Sequence, residues 1–283
     1  MDPPPTDTTC KGGVMHAIDF DREVVELSDE RAADLRRFNL IAAALHLVTG
    51  VAMLVLGDTG FTLPVTGFNI GGPPGTSLDN GVLNELFGYP LALGVAGFAL
   101  LSALFHVLIA TVLFPLYKKE LRRGRNRMRW VEYALSSTLM IKLIAMVTGI
   151  TDLSALVAIA FANIAMILFG WIMEMVNAPE DKAWWTPFWF GCVAGIGPWV
   201  AIVGYLIANL SVDGAQGPPG FVYGIIVSIF IFFNCFAINQ WLQYKQIGRW
   251  KDYIVGERTY IVLSLVAKTL LAWQIFANTL IPA

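Results

Sequence analysis

Apolar residues in this chain gather into seven runs, near residues 38–56, 88–114, 126–150, 153–175, 186–210, 221–243 and 258–281. A helix that spans a bilayer needs about 20 predominantly apolar residues, and every run is close to or above that length. Short polar connections separate the runs, and no repeat of solenoid period is visible. The pattern predicts an all-α membrane protein: a seven-transmembrane helix bundle over 38–283, preceded by a polar N-terminal extension over 1–37. That extension is rich in Asp, Glu and Pro and lacks an apolar h-region, so it does not read as a cleavable signal. Residues 1–15 read as disordered. Ser28, followed by Asp29 and Glu30, reads as a helix N-cap with acids in the first turn, so the first helix is expected to begin before the membrane.

One connection departs from the helical pattern. Residues 57–82 alternate apolar positions with Gly, Pro and Asn, which predicts a short β-hairpin in the first outer loop. It carries no Lys or Arg, and fits either a cap over the helices or a contact with a second subunit.

Composition agrees with a membrane protein: 56% of residues are hydrophobic, only 14% are charged, and the mean hydropathy is +0.63. The cations are sorted by side. Apart from Lys142 and Lys268, every Lys and Arg lies in the N-terminal segment or in the second-to-third, fourth-to-fifth and sixth-to-seventh connections. The positive-inside rule then places the N-terminus in the cytoplasm and the C-terminus outside, which requires an odd number of spans. A hormone-type receptor, with its N-terminus outside, runs against this charge pattern. Three cysteines, two of them inside spans, give no disulfide framework and read as packing residues.

Lys268 stands about ten helical residues beyond Arg258 in the last span, roughly 15 Å in, too deep for easy snorkelling. An ammonium at that depth costs a few kcal/mol, which makes it a functional-site candidate; a buried salt bridge is the plainer reading. The leading chemistry is a Schiff base with a carbonyl ligand, because a desolvated lysine is the side chain that forms one. Ser264 lies one turn earlier on the same face, able either to reach that nitrogen or to bond its own i−4 carbonyl. His46 and His106 lie about 12–13 Å in from the cytoplasmic side and match that depth, as a polar interior pocket or as satisfied packing histidines.

Glu132, in the third span, is the candidate to neutralise a cation on Lys268, with Ser136 and Met140 on its stripe and Tyr133 and Ser137 beside it. Depth sets a condition. Glu132 is only about 5 Å in from Arg129, and becomes level with Lys268 if its helix begins near Leu121. Glu174 either pairs with Arg129 or is a solvated interface charge. Lys142, ten residues after Glu132, points about 80° away and is the second-choice lysine. Among the aromatics, Trp184, Trp185 and Trp250 read as interfacial belt, while Trp189, Trp199, Phe236 and Tyr205 either wall a slot for a flat polyene or simply pack.

Taken together, Ser264-LVAK268, Arg129-WVEY133, Leu63-PVTGFNIGGPPGT76 and Trp184-WTPFWFGCVAGIGPW199 resemble heliorhodopsins over roughly residues 36–283. The resemblance implies a retinal chromophore, all-trans in the dark, bound to Lys268 with Glu132 as counterion and Ser264 as hydrogen-bond neighbour. It implies further that His46, His106, Ser102, Tyr133, Ser137 and Asn163 line or flank the pocket, with Asn126, Arg129 and Glu174 in the cytoplasmic polar region. A homodimer using the first outer loop is implied too. Lys142 and the acidic N-terminal extension lie outside the family pattern.

The resulting expectation is a light-sensing membrane photoreceptor, not an enzyme, with the lipid bilayer and a cytoplasmic signalling protein as partners and no nucleic acid. A light-driven proton transporter or channel is the runner-up, followed by a non-retinal seven-helix transporter. The transporter predicts broken helices or paired half-repeats, neither of which stands out. No metal is expected: a zinc hydrolase usually wants three protein ligands, and only His46 and His106 are intramembrane histidines.

Overall fold

The computed structural model describes residues 23–177, 182–212 and 217–281. The expectation of disorder over 1–15, and Cys10, lie outside the described residues. Seven helices are long and apolar enough to cross a membrane: α1 (Asp29–Leu56), α2 (Leu91–Ala110), α4 (Arg127–Val147), α5 (Leu153–Val176), α6 (Thr186–Leu210), α7 (Gly220–Tyr244) and α8 (Tyr253–Ile275). A short amphipathic helix, α3 (Phe114–Arg122), lies between α2 and α4. Neighbours in sequence pack together from α1 to α6, and α8 closes the bundle against α1, α2 and α7. Trp199 on α6 joins α7 by edge contacts to Phe230 and Phe233 at 5.1 and 5.6 Å.

The N-terminus of α1 is set by Ser28, whose side chain accepts the Arg31 amide, with Asp29 and Glu30 in the first turn. Oxygen acceptors there satisfy a donor that the helix leaves open, and the acids meet the positive end of its dipole. Residues 29–37, grouped with the polar extension by composition, are thus the opening turns of a continuous helix, and Leu35 among them is fully buried.

Two span boundaries are corrected. The apolar run 88–114 is not one helix. It is broken at Thr111, where φ is −122° and ψ −98°, and α3 restarts with Pro115 in its first turn. Pro is favoured there because it has no amide to leave unsatisfied. The last span begins at Tyr253, five residues before the expected 258, capped by Asp252. It ends in a π-helical turn over Phe276–Leu280.

The connection between α1 and α2 is the expected hairpin. Strands β1 (Thr62–Asn69) and β2 (Val82–Pro90) pair antiparallel from Thr62↔Pro90 to Asn69↔Val82, with a bulge at Val65/Thr66. The bulge turns Thr66 toward the start of α5: its amide donates to the Thr151 carbonyl at 2.8 Å and its hydroxyl meets that of Thr151 at 2.9 Å. Those bonds fix the ribbon over one end of the bundle, opposite the end that carries the basic connections.

Candidate functional site

Lys268 sits on α8 with 4% of its surface exposed. Its Nζ donates to Glu132 Oε1 on α4 at 2.5 Å and to Ser264 Oγ at 2.8 Å. The same carboxylate oxygen accepts Ser102 Oγ, on α2, at 2.6 Å. Three helices therefore converge on one buried ion pair, and hydrogen bonds help offset the cost of taking both charges out of water. Of the two readings of Ser264, the lysine partner holds. Its i−4 carbonyl, that of Tyr260, instead accepts the Tyr133 hydroxyl at 2.9 Å.

Glu132 reaches Lys268 without a helix start near Leu121, the condition set by depth in the sequence. α4 begins at Arg127, capped by Asn126, after a turn in which Gly124 takes φ +68°. The condition fails because Arg129 does not mark the water boundary. It is buried to 5% exposure and forms ion pairs with Glu174 and Glu257.

A cavity opens beside the ion pair. Lys268, Ser264 and Ser136 stand at one end, and Trp130, Tyr133, Phe236 and Tyr260 form a wall. Met140, Met166, Gly170, Phe188, Gly191, Cys192 and Phe233 contribute further, with Gln240 and Ser137 as its other polar members. Lys268 is the one charged residue lining it. An elongated apolar molecule with one carbonyl end fits such a lining. Ser136 Oγ, fully buried and without a hydrogen-bond partner, adds a free polar atom at the lysine end.

The other expected residues divide. Ser137 and Phe236 line the cavity. Asn163 stands behind it, donating to Ser137 Oγ and Thr138 Oγ1 at 2.8 and 2.9 Å. His46 and His106 stack at 5.6 Å on the α1–α2 side, with His106 Nδ1 2.7 Å from Asn39 Oδ1. They flank the pocket and do not line it. Trp189 is a correction: it is 60% exposed on the outer face of α6, while its neighbours Pro187, Phe188 and Gly191 face the cavity. Trp199 and Tyr205 are likewise outside the lining; Trp199 serves the α6–α7 contact. Lys142 is half-buried and does not reach the cavity.

Toward the basic end, Arg129 forms the hub of a second buried cluster. Glu174 accepts from the Asn126 amide at 2.9 Å, the Tyr253 hydroxyl at 2.9 Å, Trp130 Nε1 and Arg129. Glu257 accepts from the Tyr117 hydroxyl at 3.0 Å, Asn126 Nδ2 at 2.8 Å and Arg129. Each of the four carboxylate oxygens has a donor, so two anions share one guanidinium with no oxygen left unbonded. Tyr117, on α3, is pushed well above the usual phenol range, first by burial and then by the Glu257 charge, and so keeps its proton for that bond.

Glu257 is masked in the sequence by Arg258, which marks the edge of the last apolar run. One signal pointed to it. Tyr253, Glu257, Tyr260, Ser264 and Lys268 recur at steps of three and four, a single helix face running from the lysine to that end. Among the described residues no group of three or more His, Cys, Asp or Glu is placed to hold a metal ion.

None of the curated proteins matches the chain by sequence. Among solved structures, a light-driven proton pump from Leptosphaeria maculans superposes with a TM-score of 0.59 at 14% identity, covering 90% of this chain and 97% of that one. A thermophilic rhodopsin gives 0.61 at 14% identity, covering 90% and 95%. A cyanorhodopsin from the cyanobacterium Tolypothrix sp. NIES-4075 gives 0.52 at 13% identity, covering 90% and 96%. Identities this low speak for the fold alone: the bundle is that of microbial rhodopsins. The heliorhodopsin family model matches residues 35–280. That match spans all seven membrane helices but the first turns of α1 and carries with it a retinal chromophore and a membrane setting; the chain belongs to the heliorhodopsin family.

Proposed function

We propose that this protein is a light sensor in which retinal is held on Lys268 and light drives a conformational cycle with little or no net ion transport. The observation that carries the reading is the Lys268–Glu132–Ser264 contact at the end of an aromatic-walled cavity. Bound retinal would supply a light-driven double-bond isomerisation, and Lys268 Nζ would hold it at its aldehyde carbon. Glu132 holds the charge of that nitrogen, with Ser102 and Ser264 fixing the geometry by hydrogen bonds. Tyr133, Phe236 and Trp130 position the chain of double bonds and keep water from it. His46, His106 and Asn163 act from behind these groups, while Ser137 lines the cavity beside them.

In this reading the basic end faces the cytoplasm, in keeping with the positive-inside rule. The output reaches a cytoplasmic partner, the dark chromophore is all-trans, and the protein is a homodimer. Support for the dimer comes from the hairpin, where Phe68, Leu83, Leu86 and Phe87 are each about half exposed or more. Apolar area of that kind, free of Lys and Arg, favours burial against a second copy. The test is to add all-trans retinal to the purified apoprotein and follow its spectrum, then to illuminate cells containing the pigment while monitoring external pH. Visible colour without a sustained pH shift is the expected result. A colourless product overturns the photoreceptor, and sustained acidification or alkalinisation overturns the claim of no pumping.

A further inference from the structure

The described chain begins with an extended segment, residues 23–28, laid across the basic end of the bundle. Its backbone is bonded there: the amides of Val24 and Val25 both donate to the Arg122 carbonyl, at the end of α3, at 2.8 Å. Its side chains are seated too. Leu27 is 7% exposed and Val25 half-buried, in a cluster with Tyr117, Leu121, Tyr253 and Ile254. Two of those residues, Tyr117 and Tyr253, give their hydroxyls to Glu257 and Glu174. The floor under the segment is therefore held in place by the buried carboxylates.

The same carboxylates connect in the other direction to the cavity. Both grip Arg129, whose guanidinium lies 4.1 Å from the centre of the Tyr260 ring and 5.0 Å from that of Trp130. Tyr260 and Trp130 line the cavity that contains Lys268, and Trp130 also bonds Glu174 directly. Cation–π contacts strengthen in a desolvated site, so displaced rings take the guanidinium with them or forfeit that attraction. Every step in this path is a packed or hydrogen-bonded contact between buried groups, from the lysine cavity to the surface segment.

We propose that residues 23–28 form a strap whose seating is coupled to the chromophore cavity through Tyr260 and Trp130, Arg129, the two carboxylates, and Tyr117 and Tyr253. In the dark the strap is closed over Tyr117 and Tyr253. A change in the shape of the cavity shifts the aromatic wall, loosens the Arg129 grip and lets the strap lift from the bundle. The proposal rests on the photoreceptor reading above, since light is what alters the cavity.

The strap's two bonded amides give a direct readout, because an amide that opens exchanges its hydrogen with solvent. Hydrogen–deuterium exchange is measured by peptide mass spectrometry on the full-length, retinal-loaded protein, in the dark and under continuous light. The peptide covering 23–28 is expected to exchange at least about fivefold faster in light, the low end of typical coupling between sites. A peptide from the hairpin connection around Ser77 is expected to keep its rate. Tyr117→Phe removes the hydroxyl that ties the floor to Glu257 while leaving the cavity untouched. It should retain colour and bring the light-to-dark ratio toward one. A merely structural tyrosine would instead raise the dark and light rates together and keep the ratio, which would overturn the coupling. A coloured, light-responsive protein whose strap exchanges equally in light and dark would overturn the strap and leave the photoreceptor standing. A protein that takes up no retinal would overturn both.

Discussion

Lys268 and Glu132 are 136 positions apart in sequence and meet at 2.5 Å between α8 and α4, each about 5% exposed at the side chain. Burial makes the pair depend on both members. Removing one leaves the other as an uncompensated charge in low dielectric, which typically costs about 3–5 kcal/mol.

Replacing Lys268 by Ala should give a protein that folds but stays colourless with retinal, since the amine that would hold the aldehyde is gone. Glu132 then becomes the unpaired charge, and the double variant Lys268→Ala/Glu132→Gln should recover part of the lost thermal stability. Lys142→Ala, which alters a half-buried lysine outside the cavity, should keep its colour. Absorption spectra and melting curves of the three proteins decide; a coloured Lys268→Ala would refute the assignment.

Glu132→Gln removes the anion and keeps the shape. A charged nitrogen without its nearby anion gives up its proton more readily, so visible colour at neutral pH should fall; where the proton remains, absorption should move to the red. Glu174→Gln should change the spectrum much less, because Arg129, Trp130 and Tyr253 stand between that carboxylate and the cavity or bind it from the other side. If both spectra matched the parent, another group would have to be the counterion.

How much of this site was legible depended on what each residue's neighbours demanded of it. Lys268, Ser264 and Glu132 were readable because an ionisable group deep in an apolar run is costly and the helix period says which groups share its face. The hairpin was readable from its alternation and its Gly and Pro. The break between α2 and α3 was not, because residues 88–114 stay apolar across Thr111 and the sequence carries no gap there. Glu257 was hidden by its charged neighbour Arg258, although the two point differently: Glu257 is 1% exposed and Arg258 pairs with Asp34 at the surface. Trp189 and Phe188 are adjacent aromatics of like character. Only the packing of α6 decides that Phe188 faces the cavity and Trp189 faces out.

Arg129 should be the most sensitive residue outside the cavity. Arg129→Ala leaves Glu174 and Glu257 buried without their shared cation, and a loss on the order of 3–5 kcal/mol is expected. Arg129→Lys keeps a charge but cannot reach both carboxylates with a planar fork, so it should fall between the parent and the alanine variant. Thermal unfolding of the detergent-solubilised protein measures the order. Equal stability of parent and Arg129→Ala would mean that the cluster contributes nothing to holding α4, α5 and α8 together.

Gly170 tests the cavity wall from behind. A Cβ there would fall 2.5 Å from Trp130 Cζ3, so Gly170→Ala must move a ring that lines the cavity. Overpacking of this kind typically costs about 1–3 kcal/mol, and the displaced ring should also shift the absorption maximum. Gly204→Ala, on α6, meets nothing within 4 Å and should be neutral or slightly stabilising. Identical spectra and melting curves for parent and Gly170→Ala would show that the wall yields without consequence.

Light should move few or no protons across the membrane. Net pumping needs groups that take the proton on one side of Lys268 and groups that return it from the other. The fully buried acids within the described spans are Glu132, Glu174 and Glu257, and the last two cluster with Arg129 on the basic side of the lysine. Toward the hairpin, the polar groups of the described spans are Lys142 and neutral ones such as Thr148, Ser228, Gln274 and Asn278, before Asp152 at the boundary, which is occupied as the N-cap of α5. A proton that leaves the nitrogen on Lys268 therefore has acceptors at Glu132 and in the His46–His106 region, and returns by the way it came. The expected record is a light-induced colour change in cell suspensions with external pH flat to within the protonophore control. A sustained light-dependent pH shift, abolished both by protonophore and by Lys268→Ala, would falsify this and would require a conducting path through those neutral groups.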